Sequence, residues 1–428
     1  LAWVLSEEDF IKNLNIFSNL KLRASYGQTG NQGINSYQTM VSLGSANYPF
    51  GGITDSGFAG DTSKGPLNKD LKWETTDQYN VGLDFGFLKN RIALSVNYYY
   101  KKTRDLLQYV SIPSSTGFSN MWTNFGHVTN EGIELTGQFY AIDTKDWGLD
   151  FDANIAFNRN RIGGLTADQY ANNLWYSAKE VFIQRNGLPI GAILGYVEDG
   201  FYDNLAEVRA DPLYANVSDV EAQRMVGEIK YLDVNGDGKL TTEDRAIIGD
   251  TNPDFTYGLT GNFRWKNLTL SLFFQGTYGN DIFNANLTNI SMQSVSNIPK
   301  FAYESRWTPD NTENAKWPRA TMAQTREWRI SDRHVEDGSY LKLKTINLAY
   351  NFGSPCKGIE NLTVFGTVNN VFTITGYSWY DPDVNTFGQD ASRRGVDIYS
   401  YPASRTFSLG VKAVSYTHLR AHETGAYL

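Results

Sequence analysis

Along much of the chain, apolar and polar side chains trade places residue by residue. That alternation limits the fold more than any other feature, because a period of two sends every second side chain to the same face of an extended strand. Tyr79, Val81, Leu83, Phe85 and Phe87 alternate with Asn80, Gly82, Asp84 and Gly86. After a short turn at Leu88–Asn90, Ile92, Leu94, Val96 and Tyr98 alternate with Ala93, Ser95 and Asn97. Ile133, Leu135 and Phe139 then alternate with Glu134, Thr136 and Gln138, and a turn at Asp143–Asp146 leads into Trp147, Leu149, Phe151, Ala153, Ile155 and Phe157. The pattern returns as Phe255, Tyr257, Leu259, Phe263 and Trp265, then as Leu268, Leu270, Leu272 and Phe274 beyond the Lys266–Asn267 turn. Further strands fit residues 340–352, 362–374 and 404–413, and the first complete one is 20–30. In 340–352 the phase slips near Lys344–Thr345, which predicts a β-bulge.

The connections alternate as well. Short turns separate the paired strands, and long connections cover about 31–75, 104–130, 162–253, 281–338 and 375–403. Outer-membrane barrels have short periplasmic turns and long external loops. Ten complete strands running up and down predict an all-β chain, part of a transmembrane antiparallel β-barrel. Residues 189–202 look strand-like, but as a spanning strand they would put a long loop on the wrong side, so they belong inside the 162–253 connection. A set of soluble β-sandwiches accommodates any single strand. It fits poorly with connections this long and with faces carrying Asp84, Glu134, Asp150 and Asp152.

Charge and composition narrow the function. A net charge of −8 argues against nucleic acid, whose phosphates attract basic surfaces. Cys356 is the only cysteine, so no intrachain disulfide forms. No apolar run approaches the length of a spanning helix. The chain starts without Met or a signal peptide and is expected to be a fragment.

Several long motifs then stand in a telling order: LKLRASYGQTGNQGI (20–34), LKWETTDQYNVGLDFGFLKNRIALSVNYYYKKTRDLL (71–107), NFGHVTNEGIELTG (124–137) and LPIGAILGYVEDGFY (188–202). DGSYLKLKTINLAYNF (337–352), NLTVFGTVNNVFTITGYSWYDPDV (361–384) and YPASRTFSLGVKA (401–413) complete the set. On these the chain resembles the SusC/RagA family of TonB-dependent outer-membrane transporters. The resemblance implies the carboxy-terminal part of a plugged barrel of about 22 strands, with the plug domain and TonB box absent from this fragment. It implies residence in the outer membrane of a Gram-negative bacterium and active import of a bulky nutrient, an oligosaccharide or other glycan or else a peptide. The implied partners are a SusD-like surface lipoprotein, the TonB–ExbB–ExbD system acting through the missing plug, and the lipid bilayer, with no nucleic acid. Residues 1–19 are expected to hold the end of a preceding strand and a short periplasmic helix, capped by Ser6 and running to Asn13. Residues 20–413 are expected to form the barrel wall, and 414–428, which resemble translated adapter sequence, a non-native tail.

One motif suggests a metal. Asp233, Asn235, Asp237, Lys239 (through its carbonyl), Thr241 and Asp244 stand at calcium-loop spacing, with Gly238 at the sixth position. A structural calcium ion is expected there, and a plain Asn/Gly/Asp turn is the alternative. His418 and His422 fall in the suspect tail, and His127 and His334 are isolated, so no catalytic set is visible and the chain is not expected to be an enzyme. Tyr98, Tyr99, Tyr100, Trp122, Trp147 and Trp265 are expected at the membrane interfaces. Trp175, Trp307 and Trp379, with Tyr176, Trp317 and Tyr380, are candidates to stack on sugar rings, against ordinary loop packing. The competing function is a secreted or surface-attached carbohydrate-binding β-protein with a dockerin-like calcium loop; a surface glycosidase is a third.

Overall fold

A computed structural model describes residues 1–33, 40, 43–50, 53–60, 66, 68–116, 118, 120–171, 180–292, 297–321, 329–388 and 390–415. Eleven strands form one antiparallel sheet in chain order: Ala2–Val4, Phe17–Asn31, Glu74–Phe87, Ile92–Arg104, His127–Asp143, Trp147–Gly163, Phe255–Trp265, Leu268–Tyr278, Tyr340–Gly353, Asn361–Thr375 and Thr406–Val414. Every neighbour in the sheet is antiparallel and next in line, as an up-and-down wall requires. Two packed sheets around separate cores, the sandwich alternative, are thereby set aside.

Register follows the hydrophobic stripe, since a slip by one residue would turn every side chain to the wrong face. Leu22 pairs with Leu83, Val81 with Tyr98, Leu135 with Ile155 and with Val96, and Leu270 with Leu348, so one face is continuously apolar. The other face is polar. Arg23 Nε and Nη2 donate to the two oxygens of Asp84 at 2.8 Å each, and Arg23 Nη2 reaches Asn97 Oδ1 at 2.8 Å. A Cβ on Gly82 would lie 2.4 Å from Asn97 Oδ1 and 2.8 Å from Arg23 Nη2, so only glycine leaves the space that this network fills. Farther along the same face, Asn262 donates to Asp150 on the adjacent strand at 2.9 Å.

The predicted irregularity sits where the phase slips. Thr345 pairs with Phe273 and Leu343 with Phe274, which leaves Lys344 as the extra residue. The bulge returns Leu341 and Leu343 to the apolar face of Phe274 and Leu348, resolving the mismatch in the stripe. Residues 189–202 hold the short strands Ala192–Gly195 and Glu198–Phe201, both outside the main sheet.

Some local expectations are corrected. The first connection holds a 3-10 turn, Leu5–Glu7, and a short helix, Asp9–Lys12, whose N-cap is Glu8 rather than Ser6 and makes no side-chain cap bond. Tyr98 and Tyr100 lie on the apolar face, but Tyr99 lies on the polar face with its hydroxyl donating to Asn158 Oδ1 at 2.8 Å. Strand alternation makes this unavoidable for three consecutive tyrosines. Trp122 belongs to a separate hairpin, Leu107–Ser111 with Asn120–Asn124, and not to the wall. Trp147 and Trp265 do face each other at the short-turn end, with ring centroids 5.9 Å apart.

Candidate functional site

Three long connections fold into one another at the opposite end of the sheet, the mouth. Val181, Phe182 and Ile193 from the 162–253 connection share a buried cluster with Phe283 and Ala285 from 281–338 and with Val396 from 375–403. The backbone joins them too. Asp281–Asn284 pairs antiparallel with Val335–Asp337 and parallel with Val396–Asp397. Ala192–Gly195 is held in a four-stranded sheet with Gln169–Ala171, Phe182–Gln184 and Ala246–Asp250. These connections form a cap with its own core.

Polar contacts fasten the cap. Arg333 Nε donates to Glu198 Oε1 and Oε2 at 2.9 and 3.0 Å, and Arg333 Nη2 and Ser331 Oγ also reach Glu198. His334 is fully buried beside them, its Nδ1 3.1 Å from both the amide nitrogen and the carbonyl oxygen of Ser331. Burial pushes the His334 imidazole down to about 4, against the pull of the Glu198 charge. Burial raises the Asp332 carboxyl, and the Glu198 charge adds to the effect. Arg319 pairs with Glu228 at 2.8 Å. Wall and cap meet at Lys342, whose buried Nζ lies 2.9 Å from Asp381 and 3.5 Å from Asp383. Tyr377 donates to Asp397 Oδ2 at 2.7 Å, and burial followed by that carboxylate drives its phenol far up.

The candidate aromatic residues separate. Trp307 is only 7% exposed, donates through Nε1 to Asp203 at 2.8 Å and lies over Gly227. A Cβ on Gly227 would stand 2.4 Å from the indole, and its φ of +80° suits glycine in any case. Trp307 is therefore taken up in packing, which corrects its expected stacking role. Trp379 meets Tyr380 edge-on at 5.6 Å, its Nε1 is buried with no hydrogen-bond partner among the described residues, and Tyr380 is largely exposed. Trp175, Tyr176, His418, His422 and the expected tail from 416 onward lie outside the described residues.

The 233–244 loop forms the turns that its sequence predicts. Asp233 Oδ1 accepts from the amides of Gly236 and Asp237 at 2.7 and 3.2 Å, and Oδ2 from Gly238 at 2.7 Å. Asn235 and Asp237 each accept from the amide two residues on, at 2.9 and 2.8 Å. Asp244 is buried, and its oxygens accept from Val234, Asn235 and Thr241 at 3.1, 3.4 and 2.6 Å. Burial acts to raise this carboxyl, but those amides outweigh it and hold it below its usual range. Among the described residues, no group of three or more His, Cys, Asp or Glu is arranged to hold a metal ion.

Two recesses stand out, one in the cap and one on the wall. One, of about 410 Å³, lies beside the helix Asp219–Met225, which follows the helix Leu205–Ala210, and is lined by Tyr214, Val220, Arg224, Met225, Tyr231 and Arg329. The other, of about 580 Å³, lies on the polar face of the wall among Asp84, Ser95, Thr136, Asp152, Asn154 and Thr260.

Residues 9–371 match the family model described as TonB dependent receptor-like, beta-barrel. TonB-dependent receptor P26 of Formosa agariphila is 34% identical over 421 residues, covering 96% of this chain and 41% of that protein. TonB-dependent receptor SusC of Bacteroides thetaiotaomicron is 31% identical over 424 residues, covering 96% of this chain and 39% of that protein. Among solved structures, the RagAB peptide transporter aligns with a TM-score of 0.76 at 23% identity, over 96% of this chain and 42% of that one. The chain thus spans about two fifths of the length of these relatives.

Proposed function

The chain belongs to the TonB-dependent receptor-like β-barrel family, as an outer-membrane barrel wall of SusC/RagA type, and on that premise we propose that the whole protein actively imports a bulky nutrient. The apolar face of the sheet meets lipid, the polar face lines the lumen, and the long connections are external. Energy would come from TonB–ExbB–ExbD, and a SusD-like lipoprotein would close over the cap. The observation that carries the proposal is the cap itself: three connections far longer than strand closure needs, folded together around buried Phe182, Ile193, Phe283 and Val396. Long loops in compact proteins are functional or disordered, and a segment with its own core is not disordered.

The nutrient we propose is a glycan. Tyr380 and Trp379 support it, as an edge-on aromatic pair in which the Tyr380 ring is largely exposed. Sugars offer the apolar ring faces and hydroxyls that such a pair accepts. A peptide is the second candidate, since the aligned RagAB complex is a peptide transporter. The test is removal of residues 205–225, which hold the two cap helices and stop short of Glu228 and its bond to Arg319. Barrel assembly should survive, while copurification of the lipoprotein and uptake should fall several-fold. Both unchanged would mean that these helices are not partner surface. Loss of glycan uptake in Tyr380→Ala, with peptide uptake intact, would separate the two nutrients.

A further inference from the structure

The first connection at the short-turn end leaves apolar side chains uncovered. Phe10, Leu14 and Ile16 are 60%, 52% and 57% exposed, beside a helix of only four residues. A soluble turn would bury or replace them. Their position explains them. Trp3 pairs with Leu22 and so stands on the lipid face of the wall, and its Nε1 donates to Glu8 at 2.9 Å. The turn Leu5–Glu7 packs against the strand Phe17–Asn31. Leu20, on the same lipid face, is only 7% exposed, whereas Tyr79 and Val81 on that face are 52% and 49% exposed. The connection therefore folds over the outside of the wall, not into the lumen. It adjoins the aromatic side chains Phe17, Phe85 and Phe87, whose ring centroids lie 5.3 to 6.4 Å apart. Glu7 and Lys12 pair at 3.8 Å in the open, so charged and apolar groups part company along the segment.

We propose that residues 3–16 are an interfacial anchor, with Phe10, Leu14 and Ile16 seated at the acyl–headgroup boundary of the leaflet on the short-turn side. The occupant is phospholipid, because these side chains extend a surface that already faces lipid. Glu7, Asp9 and Lys12 stay among headgroups and water, as the polar side of an amphipathic segment does.

The inference rests on the outer-membrane reading, and its test separates the two. The full-length protein carrying Cys356→Ser is spin-labelled singly at F10C, L14C, D9C and L348C in phosphatidylethanolamine/phosphatidylglycerol vesicles. Collision with oxygen, which concentrates in lipid, is compared with collision with a water-soluble nickel chelate. Labels at 10 and 14 should give an oxygen-to-nickel ratio several-fold above the label at 9, approaching that at 348. A water-like ratio at 10 and 14, or exclusion of both reagents by a protein partner or another part of the chain, overturns the anchor. A water-like ratio at 348 instead overturns the barrel reading. In the unsubstituted protein, a diazirine carried on a phospholipid acyl chain should label the peptide that contains Phe10 and Leu14. Absence of that label, with the wall strands labelled, also overturns the anchor.

Discussion

In the wall, Tyr79, Val81 and Leu348 stand 52%, 49% and 47% exposed, whereas in the cap Phe182, Phe283 and Ile193 stand at 1%, 0% and 0%. The same residue types serve opposite ends. The wall turns its apolar side chains outward, where lipid replaces a core, and relies on ladder hydrogen bonds that have no water to compete for them. The cap stands in water and folds as soluble domains do, by burying apolar surface drawn from distant parts of the chain. Among the described residues, the connections carry most of the buried hydrophobic side chains, and the sheet carries more than half of the exposed large ones.

The sharpest way to break that comparison is to remove a cap core side chain. Phe283→Ala should cost the cap about 3–5 kcal/mol through lost contacts and the cavity left behind. Hydrogen exchange should accelerate around Val181–Ile193 and Val396, which share its cluster, and stay unchanged in the ladder between His127–Asp143 and Trp147–Gly163. Equal loosening of that ladder would show that wall and cap are one cooperative unit.

The junction tests the comparison next. Lys342 belongs to a wall strand, yet its ammonium is buried under the cap against Asp381. Removing one partner of a buried pair leaves an uncompensated charge, so Asp381→Asn should destabilise the 375–403 connection by about 3 kcal/mol. Asp383→Asn should matter less, because Asp383 lies farther away at 3.5 Å and is about half exposed. Protease sensitivity of that connection is the readout, and equal effects of the two substitutions would refute the assignment.

Sequence legibility divides along the same line. The wall was readable because its information is local. Tyr79 to Phe87 announce a strand and its faces without reference to any other segment, and even the Lys344 bulge shows as a broken phase. The cap was not readable in that way. Nothing near Glu198 indicates Arg333, more than a hundred residues on, and nothing near Lys342 indicates Asp381. Composition showed that these connections are rich in aromatic residues, but not which ones pack inward. Trp307 and Tyr380 look alike in sequence, and only the fold buries one and exposes the other. Tyr99 departs from its expected place for a simpler reason: alternation must split three adjacent tyrosines between the two faces.

Acidity should separate the two regions further. His334 is held neutral in the cap at about 4, against an ordinary value of 6.5. Its unfolded form takes up a proton first, so cap stability is intact above about pH 6.5 and falls as the pH drops towards 4. By pH 5, about one and a half units below the unfolded value, the loss should be about 2 kcal/mol. The raised Asp332 carboxyl acts in the opposite sense, because its protonated form is favoured by the fold. The fall between pH 6.5 and 5 is the part that His334 contributes. Exchange around residues 331–337 and 193–199, corrected for the intrinsic rate, should rise there, and His334→Phe should flatten the dependence. A flat profile in the unsubstituted protein would mean that the ring protonates without opening the cap.

The smallest effect we expect is that of calcium, proposed for the 233–244 loop of the cap. The turns that present Asp233, Asn235 and Asp237 are already made, with Gly236 and Gly238 at positive φ of 73° and 74°. Against binding, both oxygens of Asp244 are occupied by amides, so an ion must share or displace them. A site that gives up hydrogen bonds to coordinate should bind at the weak end for extracellular calcium loops, roughly 10⁻⁴ to 10⁻³ M. At millimolar calcium that affinity stabilises the cap by about 1 kcal/mol. Calorimetry on the full-length protein should show calcium-dependent heat that Asp233→Ala and Asp237→Ala abolish. Magnesium should be a poor substitute, since it demands tighter octahedral geometry. Identical titrations for the unsubstituted and Asp233→Ala proteins would leave the loop as a turn held by its own amides, and the stability of the cap would then rest on its apolar core and buried ion pairs alone.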